Sequence, residues 1–145
     1  MAIYHFSIKP ISRGDGRSAV AAAAYRSAQI LDDHRYGKVQ DYARKSGVEL
    51  SQIYAPADTA PDLLDRNKLW NTVEKSENRK DACLAREFEI AFPNELNEQQ
   101  RKAMLDELCK QIVNKYAVVV DASIHAPHTE VGSDERNYHA HIMFT

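Results

Sequence analysis

The sequence predicts an α+β domain: a mainly antiparallel β-sheet of about five strands, with helices packed on one face and a histidine cluster on the other. Three observations predict it. Short segments with period-two apolar alternation recur along the chain, segments with helical apolar spacing and recognisable caps lie between them, and the order is strand, helix, irregular, helix, strand, helix, strand, strand. The last two strands, joined by a loop, are most simply an antiparallel pair.

Each element has its own signal. Ala2 to Lys9 alternates, with Tyr4, Phe6 and Ile8 on one side and His5, Ser7 and Lys9 on the other, as in a half-buried strand. Pro10 to Gly16 carries the turn chemistry of a loop. Ser18 fits an N-cap before Ala19-Val20-Ala21-Ala22-Ala23-Ala24-Tyr25, a run of the best helix former. Residues 32–56 are short and irregular, with turn signals at Tyr36-Gly37 and Ser46-Gly47 that suit a hairpin. Pro61 and Asp62 open a helical pattern that runs to about Asn78. Glu87 to Phe92 alternates and is stopped by Pro93. Asn97 and Gln100 form a capping box before a helix with Met104, Leu105, Leu108, Cys109, Ile112 and Val113 on one stripe. Tyr116 to His125 and His139 to Thr145 are the last two strands.

Composition narrows the class. A chain of 145 residues, 43% hydrophobic and with a net charge of −2, is one globular domain and not a disordered segment. No apolar run approaches the roughly 20 residues of a membrane helix, and the N-terminus lacks a signal peptide's basic and apolar stretches. Cys83 and Cys109 are too few for a disulfide scaffold, so a cytoplasmic domain is expected. Residues 1–50 hold eight Lys/Arg against five Asp/Glu, whereas the remainder is acidic. That argues against indiscriminate duplex binding and leaves room for a basic groove in the first third.

The chemistry emerges when the strand faces are superposed. Val118, Val120, Ala122 and Ile124 share one face of their strand, leaving Asp121, Ser123 and His125 opposite. Ala140, Ile142 and Phe144 likewise leave His139, His141 and Met143, and Phe88, Ile90 and Phe92 leave Glu87 and Glu89. One sheet face therefore collects three His and two Glu. His139 and His141 stand about 7 Å apart along one strand, and His125 on a neighbouring strand can complete a trio. Three neutral imidazoles with open positions suit a catalytic divalent ion; surface histidines on an edge strand are the plainer alternative. Tyr25 closes the Ala-rich helix, but with seven tyrosines in the chain composition alone does not single it out.

Taken together, Met1-Ala2-Ile3-Tyr4-His5, Ser18 to Arg26, Ala85 to Pro93, Ile124-His125-Ala126-Pro127-His128 and Asp134 to His141 resemble the MobA/MobL (TraA-type) plasmid mobilisation relaxases. These belong to the wider class of His-hydrophobic-His (HUH) endonucleases. The resemblance covers essentially the whole chain, in order. It implies a nicking domain over residues 1–145 that cuts one strand of single-stranded DNA at an origin of transfer and can rejoin it. Tyr25 would attack the scissile phosphate and carry the 5′ end, and His125, His139 and His141 would hold a divalent ion, Mn or Mg. The implied partners are a type IV secretion coupling protein and accessory relaxosome proteins. Glu135, in the Asp-Glu-Arg stretch, falls where related enzymes place a carboxylate that helps deprotonate the nucleophile. Glu87 and Glu89 compete with it as base or ligand orienter.

A groove lined by Lys9, Arg13, Arg17 and Arg26 would bind the strand, with stacking at Tyr36 or Tyr42. Thirteen residues separate His125 from His139, a long loop whose His128 is a further potential ligand. Relatives continue well past the His-x-His strand, so a domain truncated at its C-terminus is expected. Two other readings stay open: a phosphodiesterase that uses water at the same metal site, and a non-catalytic fragment that binds single-stranded DNA.

Overall fold

A computed structural model of the chain describes residues 6–127 and 137–145. Its centre is a five-stranded, wholly antiparallel sheet in the order β1-β5-β7-β6-β4, made by β1 (Phe6–Ser12), β4 (Val48–Tyr54), β5 (Cys83–Ala91), β6 (Val120–His125) and β7 (His139–Phe144). A separate hairpin pairs β2 (Ile30–Asp33) with β3 (Lys38–Asp41). The helices are α1 (Ala19–Ser27), α2 (Arg66–Ser76) and α3 (Glu98–Tyr116), with short 3₁₀ turns at Arg13–Asp15 and Pro61–Leu64.

Register decides what the sheet presents. His125 lies opposite His139, Ser123 opposite His141, and Glu89 opposite His141 from the other side. Directly paired residues of antiparallel strands point the same way, so the three His and two Glu share one face. The other face is apolar: Ile90, Ala122, Ile124, Ala140 and Ile142 pack against Leu105, Cys109, Ile112 and Val113 of α3.

The expectation of helices on one face holds for α3, but α1 and α2 lie on the opposite face. That face is polar at one end only. At the other end Ile11, Ala85 and Met143 form a second core with Ala19, Val20 and Ala23 of α1 and Leu69 and Trp70 of α2. The alanines of α1 let the helix lie close to the sheet, and its C-terminal end arrives beside the histidines.

Local differences from the sequence reading have physical causes. β1 continues through Pro10 to Ser12, because it is an edge strand, where a missing N–H is tolerated. The helix expected from Pro61 divides at Asp65, whose extended backbone ends the 3₁₀ turn and whose side chain caps α2 by accepting from Lys68 N–H. Tyr116 ends α3 instead of opening β6, and Ala117 stops the helix with a left-handed φ of 53°. The α3 capping box and the Ser18 cap of α1 form as expected. The irregular segment holds the β2–β3 hairpin, turned at Gly37 with φ 61°, and then β4. Met1 to His5 lie outside the described residues, as does 128–136, which includes His128 and Glu135.

Candidate metal and nucleophile site

The three imidazoles converge. Their ring centroids are 4.6 Å (His125–His141), 5.1 Å (His139–His141) and 5.4 Å (His125–His139) apart. One nitrogen from each lies within 4.8 Å of the others, close enough for one ion to collect all three. One nitrogen of each ring is also hydrogen-bonded. His125 Nε2–H donates to the backbone oxygen of Arg26 at 2.8 Å, His139 Nδ1–H to the backbone oxygen of Asn137 at 3.3 Å, and His141 Nδ1–H to Glu87 Oε1 at 3.1 Å. A carbonyl or carboxylate behind each imidazole fixes ring and tautomer, as around bound metals.

Electrostatics agree with a cation-binding role. His125 is 5% exposed, and burial, reinforced by the charges of His141, Lys45 and His139, pushes its pKa down to about 3. It therefore stays neutral, the form that ligates. Burial works to raise the Glu87 carboxyl, but the His141 hydrogen bond and the Arg26 guanidinium outweigh it and hold the pKa down to about 2. Arg26 Nε contacts Glu87 Oε2 directly. A carboxylate so firmly ionised is a weak base, and its hydrogen bond with His141 holds that ring. Glu89 is half-buried, stands opposite His141, and has no hydrogen-bond or ion-pair partner among the described residues. With Glu87 and His141 it forms a second close trio of potential ligand atoms.

Tyr25 and Arg26 are consecutive in the last turn of α1, so the chain that presents Tyr25 also supplies the oxygen that holds His125. The Tyr25 side chain is 48% exposed, set edge-on to Tyr42 at 5.3 Å, and Lys45 Nζ sits 3.6 Å over its ring. It lines a groove of about 470 Å³ between α1 and the hairpin, together with Arg17, Arg26, Tyr36, Lys38 and Tyr42.

The basic residues read from sequence separate into two kinds. Arg17 lines the groove, and Lys9 is exposed on the face of Glu87, its cross-strand partner. Arg26 borders the groove, but its guanidinium is committed to Glu87 and to the Ala22 carbonyl at 3.0 Å. Arg13 is a correction: only 6% of its side chain is exposed, and it bonds Glu74 Oε2 at 2.7 Å and the carbonyls of Glu77 and Arg79. It is a buried strut that ties the turn after β1 to the end of α2, not a surface cation. Lys45 was missed, because a lone lysine in a loop carries no sequence signal.

The family model described as MobA/MobL family matches residues 17–145. The chain is 40% identical over its whole length to "Mobilization protein MobL" of Acidithiobacillus ferridurans, covering 43% of that protein. It is 35% identical to "Conjugal transfer protein TraA" of Agrobacterium fabrum (strain C58), covering 14% of it. The chain thus spans less than half the length of these curated relatives. A solved structure described as "Molecular Basis of Vancomycin Resistance Transfer in Staphylococcus aureus" superposes with a TM-score of 0.88 at 34% identity, covering 99% of this chain and 70% of that one. With the family model matched from Arg17 to the last residue, the chain belongs to the MobA/MobL family.

Proposed function

We propose that this chain is a DNA relaxase domain that nicks single-stranded DNA at an origin of transfer, with Tyr25 as nucleophile and His125, His139 and His141 holding a divalent ion, Mn or Mg. The observation that carries the reading is the junction at the end of α1, where the residue after Tyr25 accepts a hydrogen bond from one of three convergent imidazoles. The ion, when bound, supplies positive charge against the phosphate oxygens.

The chain's own groups do the rest. The Tyr25 oxygen attacks phosphorus in line as the bond to the 3′ oxygen breaks, so the 5′ phosphate passes to the phenol and a 3′ hydroxyl leaves. The phenol proton needs an acceptor. Of the described carboxylates Glu89 suits this better than Glu87, which is occupied by Arg26 and His141; Glu135 is carried by the family resemblance alone. The phosphotyrosyl bond keeps the energy of the broken diester, so the 3′ hydroxyl can reverse the step. Arg17, Tyr36 and Tyr42, which line the groove, would guide the strand, with Lys9 on the edge strand opposite Glu87. Cytoplasmic location, a secretion coupling protein and relaxosome partners belong to the same proposal. Among the described residues no helix is long and apolar enough to cross a membrane.

The test is a denaturing gel of protein incubated with Mn²⁺ or Mg²⁺ and single-stranded origin sequences. A covalent adduct that disappears in Tyr25→Phe supports the assignment. Cleavage without an adduct would identify water as the nucleophile, and an unchanged adduct in Tyr25→Phe would remove Tyr25 from the role.

A further inference from the structure

A lysine in a surface loop ordinarily keeps its ammonium in water. Lys45 is intermediate in exposure, and its ammonium, at the surface, is drawn back over the end of α1. The turn that carries it is fixed: Tyr42 N–H donates to Gln29 O at 3.2 Å, Ala43 N–H to Asp41 Oδ1 at 3.1 Å, and Lys45 N–H to Tyr42 O at 3.0 Å. From there Nζ donates to the Tyr25 carbonyl at 3.1 Å and covers the Tyr25 ring at 3.6 Å from its centroid. The carbonyl of Arg26 accepts from His125. Two consecutive carbonyls thus receive Lys45 and His125. Because successive residues are 3.8 Å apart along the chain, the ammonium and the His125 ring nitrogen are separated by no more than about 10 Å. The imidazole spans the short remaining distance to its other nitrogen, so a phosphate on an ion held there comes near the ammonium.

A cation at a helix C-terminus has a plainer use, compensating the helix dipole. That role does not require the ammonium to lie across the face of one exposed tyrosine. Resting on the reading of Tyr25 as nucleophile, we propose that Lys45 is a phosphate-binding residue of this site. Its ammonium engages a non-bridging oxygen of the diester presented to Tyr25 and keeps the Tyr25 ring in place. Lysine acts here as a compact point charge, able to follow the phosphate as its geometry changes.

The test has two arms. In the first, a fluorescent oligothymidylate of roughly 15 nucleotides is titrated across a salt series against Tyr25→Phe protein, with and without Lys45→Gln. Loss of one phosphate contact should lower the slope of log affinity against log salt by about 0.7, and Lys45→Arg should largely restore it. In the second, adduct formation on a single-stranded library with Mn²⁺ should slow about tenfold or more in Lys45→Gln while the thermal midpoint barely moves. Should Lys45→Gln fail to fold, Lys45→Met, which keeps the stem on the ring, replaces it. An unchanged salt slope in a folded Lys45 variant overturns the proposal, whatever the adduct assay gives. A lowered slope alongside no adduct from the unaltered protein would overturn the nicking reading and leave Lys45 as a phosphate contact.

Discussion

Replacing Glu87 by Gln changes one oxygen to an amide nitrogen at the point where Arg26 and His141 meet, and its cost follows from two routes. The Glu87 carboxyl is held at about 2 against an ordinary value of 4.5, through the His141 hydrogen bond and Arg26 acting against burial. That difference corresponds to roughly 3 kcal/mol of stability. The sign follows from the lowered folded value: the contribution is complete above about pH 4.5 and is lost as pH falls toward about 2. Independently, breaking a buried ion pair by removing one partner costs about 3–5 kcal/mol. Glu87→Gln should therefore unfold at lower urea by roughly 3 kcal/mol near neutral pH, and the difference should vanish in strong acid. His141 would also lose its fixed orientation, so Mn²⁺ affinity measured by calorimetry should fall about 10–100-fold. A Glu87→Gln protein within about 1 kcal/mol of the unaltered one, binding Mn²⁺ equally well, would refute both the ion pair and the orienting role.

Other parts of the structure make separate predictions. Glu74→Ala should cost about 3–5 kcal/mol in urea unfolding, since it strands the buried Arg13 guanidinium and removes the acceptor for Ala19 N–H at the start of α1. Asp121→Ala should cost a similar amount and shift Trp70 fluorescence, because Asp121 accepts two bonds from Arg66 and one from Trp70 Nε1, all at 2.8 Å. Metal-free protein should lose stability as pH falls from about 6.5 toward about 3, where the unfolded chain protonates His125 and the folded chain does not. His125→Asn should flatten that acid limb in chemical denaturation.

Much of the site was legible because strand alternation is strict. Once His125, His139 and His141 were assigned to two strands, parity alone put them on one face with Glu87 and Glu89, and the register made them neighbours. Parity could not show that the same face turns apolar at Ile11, Ala85 and Met143, where α1 and α2 cover it. Nor could it place Arg13 and Arg26, since arginines counted as groove cations are indistinguishable in sequence from arginines that meet a buried Glu74 or Glu87. The Tyr25–Arg26–His125 junction is a contact across 99 residues, and no local pattern encodes it. The hairpin was visible in its glycine turn, whereas the exact strand ends were set by edge position and left-handed caps.

The arrangement at the end of α1 is tested most directly by crystals of the protein soaked in Mn²⁺ and measured for anomalous scattering. A single peak bonded to nitrogens of His125, His139 and His141, on the Tyr25 side of the sheet, is the predicted result. A peak at some other set of residues, or none among these three rings at saturating Mn²⁺, would contradict it.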